Sequence, residues 1–331
     1  MKLSFVSSTS PSLLNADEVI GGFELGPLDP DTSSPWPVQR LPMQLLQGER
    51  AAIHEAWVVD QATVQGNSEG IVWRRAGDLL FGVITLWEPV ASPNSTVSAL
   101  RNLTEQAYQR LFRLLDQQGL PHLWRAWNYI PDIHGEQAGL ERYRQFNLGR
   151  GDAFERCSRS VTEQVPAACA LGLAEGPLSI AFLCGASPLV PIENPRQVSA
   201  YRYPSHYGPR SPTFSRAALA YLGSQELFFV SGTASIVGHE SLHDGDVVKQ
   251  TQETLNNIDA LLDASARAGR GGPFAPADLT YRVYVRRPED VGAVQREVEA
   301  CVGQAPVQYV QADVCRRELL VEVEALGLRD C

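Results

Sequence analysis

Apolar and polar positions change period repeatedly along the chain, and they do so in the same order twice. In the second half, residues 227–236 form an apolar run of strand length, followed by a polar turn over 238–245. From Asp246 onward Val247, Leu255, Ile258 and Leu262 share one face at helical spacing, and Gly269 supplies a stop. Residues 279–285 alternate, with Leu279, Tyr281, Val283 and Val285 on one side. Past Pro288, Val291, Val294, Val298 and Val302 make a second helical stripe, and 318–326 ends the series as a strand. The first half has a strand at 79–86, a helix at 97–115, a strand at 123–130, a short helix at 140–146 and a strand at 178–184. Thr104, Tyr108, Leu111, Leu114 and Leu115 match Thr251, Leu255, Ile258, Leu261 and Leu262 at a constant offset of 147. Repetition of the whole order predicts a duplication. Alternating helices and strands predict an α/β (α+β) chain whose halves are mixed β-sheets with helices on one face. Residues 1–45, rich in Ser, Pro and Gly, are expected to be an irregular arm or edge elements.

Composition narrows the class. Of 331 residues, 44% are hydrophobic and 20% charged, enough apolar surface for a sizeable core. A net charge of −10 opposes nonspecific nucleic-acid binding, so an anionic ligand has to be held by local arginines. No run reaches the roughly 18 apolar residues of a membrane span, and residues 1–14 lack a signal-peptide core. The six cysteines are scattered without a C-x-x-C pair, as reduced thiols are. A cytoplasmic protein with no nucleic-acid or membrane partner is expected.

Three features carry candidate chemistry. His239-Glu-Ser-Leu-His243 spells H-E-x-x-H, but zinc peptidases need it on a helix, and Gly238 and Asp244-Gly245 mark a turn. A polar loop is therefore preferred to a zinc site. The segment Tyr201-Arg-Tyr-Pro-Ser-His-Tyr-Gly-Pro-Arg210, with Arg216 beyond it, joins arginine forks to flat tyrosine walls, a combination suited to a small carboxylated ring. The same residues also suit a proline-stiffened, solvated loop. In the last strand, alternation puts Glu322 and Glu324 on one face and Val321, Val323 and Ala325 on the other. Such an acidic pair is ordinarily solvated. In a cleft, desolvation would raise a carboxyl pKa and make a proton donor near neutral pH. The matching strand at 178–184 has no acid.

Phe229-Val-Ser-Gly-Thr-Ala-Ser235, Gln250-Thr-Gln-Glu-Thr-Leu-Asn-Asn-Ile258 and Val321-Glu-Val-Glu-Ala325 resemble the RidA/YjgF imine deaminases. That family's carboxylate-binding arginine falls at Val307 here, so the acid is kept and its partner is lost. Asn128-Tyr-Ile-Pro-Asp132, Gly149-Arg-Gly-Asp-Ala-Phe-Glu155, the Tyr/Arg segment, Ser231-Gly-Thr-Ala-Ser235 and Glu322 together resemble the chorismatases, over about residues 75–326. The resemblance implies two RidA/YjgF-like halves and cleavage of the enolpyruvyl ether of chorismate, releasing pyruvate. It makes Glu322 the general acid, and Arg150, Tyr203, Tyr207, Arg210 and Arg216 candidates for substrate binding. Neither a metal nor an organic cofactor is implied. Cys315 and Gly232 match the branch that makes 3-hydroxybenzoate, where the branch that hydrolyses chorismate to a dihydroxycyclohexadienoate has alanine.

The expected organisation is a first half with its arm at 1–192, a Tyr/Arg-rich connector at 193–225 that contributes to the site, and a second half at 226–331 carrying the acid. The expected protein is a monomer or homotrimer that makes 3-hydroxybenzoate and pyruvate from chorismate. The alternatives are a chorismate hydrolase, an imine deaminase, a noncatalytic module for aromatic carboxylates, and a zinc hydrolase.

Overall fold

The structure, a computed structural model, describes residues 1–10, 14–29, 33–48, 52–89 and 98–331. Its first elements correct the expectation of an irregular arm. Strands β1 (Leu3–Ser8), β2 (Val19–Leu25), β3 (Val38–Leu41) and β4 (Ile53–Val59) form a four-stranded sheet ordered β1-β4-β2-β3. β2 is buried along its whole length, so it has no period of two to betray it, and Gly21-Gly22 at its centre resembles a turn.

The first half then runs β5 (Val64–Ser68), β6 (Ile71–Ala76), β7 (Leu79–Leu86), α1 (Ala99–Gln118), β8 (His122–Pro131), the small hairpin β9 (Glu136–Gln137) and β10 (Leu140–Glu141), α2 (Arg142–Arg156), β11 (Ala167–Leu173) and β12 (Leu178–Gly185). The second half runs β13 (Val190–Ile192), β14 (Ala217–Leu222), β15 (Gln225–Thr233), the hairpin β16 (Ile236–Val237) and β17 (Glu240–Ser241), α3 (Val247–Ala268), β18 (Leu279–Val285), α4 (Val291–Val302), β19 (Val307–Gln311) and β20 (Val321–Asp330). The sheet orders are β11-β8-β12-β7-β6-β5 and β13-β14-β15-β20-β18-β19. Read from opposite edges they are the same sheet. Each has a three-strand meander, two crossover helices, a parallel edge strand, and a last strand inserted antiparallel between its neighbours. The two repeated halves expected from the RidA/YjgF resemblance are thus present. β13 and β14 precede residue 226 and pair within the second sheet.

Both long helices start where a side chain caps them. Ser98 Oγ accepts from the Arg101 amide at 3.2 Å, and Asp246 Oδ1 from the Lys249 amide at 3.0 Å. Val97, the expected first residue of α1, lies outside the described residues. All five positions matched at the offset of 147 are buried in both helices. The short helix expected at 140–146 is instead α2, with Arg142, Asn147 and Arg150 on its buried face, so no apolar stripe announces it. Gly149 lets α2 lie against α1: a Cβ there would stand 2.1 Å from the Arg101 carbonyl oxygen.

Helices α1 and α2 cover the outer face of the first sheet, and α3 and α4 that of the second. The remaining faces meet the N-terminal sheet in one shared core. Phe23, Trp127, Trp57 and Phe229, drawn from all three sheets, lie in ring contact there. Backbone bonds seal the junctions: Gly172 N to Asp313 O at 2.7 Å between the two large sheets, and Leu46 N to Tyr309 O at 2.9 Å beside the N-terminal one. Among the described residues no helix is long and apolar enough to cross a membrane.

Candidate active site

Between the two large sheets the shared core opens into a cavity of about 490 Å³, floored by Glu322, Gly232 and Cys315. Its inner end narrows to a recess where Tyr143 and Arg150 of α2 and Cys169 of β11 meet the same three residues. Pairing fixes this meeting. Ser231 Oγ accepts from the Ala168 amide at 2.9 Å and donates to the Ser215 carbonyl at 2.6 Å, tying β15 to β11 and to the end of the connector. The pairing of β15 with β20 slips between Val230 and Thr233, which turns Gly232 toward Glu322. A Cβ on Gly232 would lie 1.9 Å from Glu322 Oε1, so the acid occupies the space that the glycine leaves.

Alternation along β20 holds as expected: Val321, Val323 and Ala325 join the core under α3 and α4. The opposite face is not solvated. Glu322 is 4% exposed and Glu324 6%. Among the described residues the Glu322 carboxyl has no hydrogen-bond or ion-pair partner. Burial, reinforced by the charge of Glu324 and opposed by that of Arg125, pushes it up to about 8. Glu322 therefore carries its proton at neutral pH. Burial and the nearby Glu322 charge likewise push the Cys315 thiol up to about 12, so it acts as a neutral, space-filling group rather than a thiolate.

The connector supplies the outer wall. Tyr203 and Tyr207 pack with ring centroids 5.4 Å apart. The Arg316 guanidinium lies 4.1 Å from the Tyr207 ring, and Arg216 lies 5.3 Å from that of Tyr203 while donating to its hydroxyl at 2.6 Å. At the inner end Arg150 is 2% exposed, stacks 5.0 Å from Phe146 and donates to Asn147 Oδ1 at 3.2 Å. Its Nε has no partner, and no carboxylate pairs with it among the described residues. A buried guanidinium without a counter-ion is poised for an anion.

The structure thus gathers Glu322, Cys315, Gly232, Arg150, Tyr203, Tyr207 and Arg216 around one cavity. Arg210 is not among them. It pairs with Glu155 at 2.8 Å and Asp152 at 3.4 Å, on the far side of α2. The H-E-x-x-H histidines sit around the β16–β17 hairpin, with His243 at a positive φ of 61°, so they do not share a helical face. Val307 lies on the edge strand β19, outside the cavity lining.

Comparison with known proteins follows the same lines. Residues 55–184 match the family described as chorismatase FkbO/Hyg5-like, N-terminal. A 3-hydroxybenzoate synthase of Streptomyces hygroscopicus is 40% identical over 285 residues, covering 82% of this chain and 80% of that protein. This chain belongs to the chorismatase family. A chorismatase from Streptomyces hygroscopicus is 34% identical over 97% of this chain and 93% of its own length. A chorismatase crystal structure superposes with a TM-score of 0.86 at 32% identity, covering 98% of either chain. Sequence reasoning missed several residues of this chorismatase cavity. Tyr143 sits in a helix without an amphipathic signal, and Arg316 in a loop with no period. Phe214 was in view within the connector but carries no polar group to single it out.

Proposed function

We propose that this protein converts chorismate to 3-hydroxybenzoate and pyruvate, with Glu322 as the general acid. The observation that carries the reading is a protonated, unpaired carboxyl at the floor of a cavity edged by arginines. Glu322 gives its proton to the methylene carbon of the enolpyruvyl group. The ether bond to the ring then breaks, its electrons leave with the pyruvyl oxygen, and pyruvate departs as the ketone. The neighbouring hydroxyl oxygen bonds to the vacated ring carbon, its bond to its original ring carbon breaks, and loss of the proton on that carbon completes the aromatic product. The proton lost balances the one supplied, and no water is consumed. Capture by water would give the nonaromatic diol instead.

Arg150 at the inner end and Arg216 at the connector suit the two carboxylates, while Tyr203 and Tyr207 wall the ring. Cys315 and Gly232 decide how much room stands beside Glu322, which is the physical basis on which we read the product as aromatic. The test is incubation with chorismate, measuring pyruvate release and identifying the ring product by chromatography. Pyruvate and 3-hydroxybenzoate in equal amounts are expected, with turnover lost in Glu322→Ala. No pyruvate would refute the reaction, and full turnover in Glu322→Ala would refute the mechanism.

A further inference from the structure

Glu324 has no part in the reaction above, yet it is buried on the same face of β20 as Glu322. Three groups hold its carboxylate. Arg282 Nη1 donates at 2.9 Å and the Tyr284 hydroxyl at 2.7 Å, both from β18, and Arg125 of β8 closes on the other oxygen. Arg282 also pairs with Glu55 of β4, and the Tyr129 hydroxyl lies 2.8 Å from that of Tyr284. Three sheets thus contribute two carboxylates and two guanidiniums to one cluster, with no net charge. Buried ion clusters of this kind seldom add stability over apolar residues of the same volume, so stability alone gives no reason for four charges here.

The position of the cluster does. Side chains two apart on a strand point the same way, about 7 Å from one another. The clamp of Arg282, Tyr284 and Arg125 holds the Glu324 carboxylate in place behind Glu322. The other titratable groups around Glu322 include Cys169 on β11, Cys315 and Arg316 on the loop before β20, Tyr143 and Arg150 on α2, Arg216 at the end of the connector, and Tyr284 on β18. Burial keeps the thiols and phenols neutral. Arg150 stands at the substrate end of the recess. Arg125 pairs with Glu324, its charge opposes the proton on Glu322, and its Nη1 is buried without a partner.

We propose that Glu324 and Arg125 are positioning residues that set the proton affinity of Glu322: Glu324 holds the proton on the acid, and Arg125 limits how tightly. The inference rests on Glu322 being the general acid. At this separation, one buried charge is expected to move the alkaline limb of activity by about one pH unit.

The experiment measures kcat/KM for pyruvate release from pH 6 to 10 in Glu324→Gln, Arg125→Met and the double variant, each checked for folding by circular dichroism. Glu324→Gln should move the alkaline limb down by about one unit, and Arg125→Met should move it up by a similar amount. The double variant should return it close to wild type. A purely structural role would lower activity without opposite displacements, and either folded single variant tests its own direction. Limbs that stay in place, or that both move the same way, overturn the proposal. Glu322→Gln is run alongside: wild-type turnover there would instead overturn the reading of Glu322 as the acid.

Discussion

On β20 two carboxyls of the same chemistry, two residues apart, are separated by their partners. Glu324 is ringed by donors, while Glu322 has no hydrogen-bond or ion-pair partner among the described residues, in a recess lined by apolar groups, neutral Cys and Tyr side chains and Arg150. This difference links function to stability. Unfolded, a glutamate loses its proton near 4.5; folded, Glu322 loses it near 8. Between those values the unfolded state binds fewer protons, so stability falls as pH rises through the window. Glu322→Gln is expected to abolish pyruvate release. It should also flatten that fall, leaving the variant more stable by on the order of 4 kcal/mol at pH 8, as read by denaturant unfolding at several pH values. The pH dependence of wild-type kcat/KM should show loss of activity above about pH 8, as the donor form disappears. Cys315→Ala frees space of the order one water occupies, about 30 Å³. Chromatography should then show more nonaromatic diol relative to 3-hydroxybenzoate, and an unchanged ratio would remove Cys315 from product selection.

Elements with clean periods or long apolar runs were legible in sequence, and the short, alanine-rich strands were not. Strand β18 and the faces of α1 and α3 follow directly from alternation and the 3.6-residue repeat. β11 (Ala-Ala-Cys-Ala-Leu-Gly-Leu) and β14 (Ala-Ala-Leu-Ala-Tyr-Leu) are short, alanine-rich and almost wholly buried, so their composition resembles neither an amphipathic strand nor a helix. Within the site, the connector tyrosines stood out by composition, whereas Arg210 shared that composition and ended in a surface pairing. Only packing separates these cases. The contact of α2 with α1 yields a prediction of its own. Gly149→Ala forces a Cβ against the Arg101 carbonyl and should lower stability by about 1–3 kcal/mol. Because Arg150 is the next residue, KM for chorismate should rise more than kcat falls.

At the scale of the whole molecule, three sheets close around one core within a single chain. Junctions of the N-terminal sheet are made by this chain's own strands, as in the bond between Leu3 N and Gln225 Oε1 at 2.6 Å. We therefore expect a monomer of 36.3 kDa by light scattering, where a homotrimer would weigh three times as much.

That closure has a consequence for stoichiometry. A ring of identical subunits repeats every interface by symmetry, so a substitution made once appears at each of them. Here each junction is written by its own residues and is free to differ from the others. One junction carries the acid, the recess and the arginines; at another, backbone bonds run from Leu46 N to Tyr309 O and from Gln311 N to Gln44 O on either side of Leu45 and Val310. Calorimetric titration with a nonreactive ring dicarboxylate should therefore end at one equivalent per chain, on a simple hyperbola.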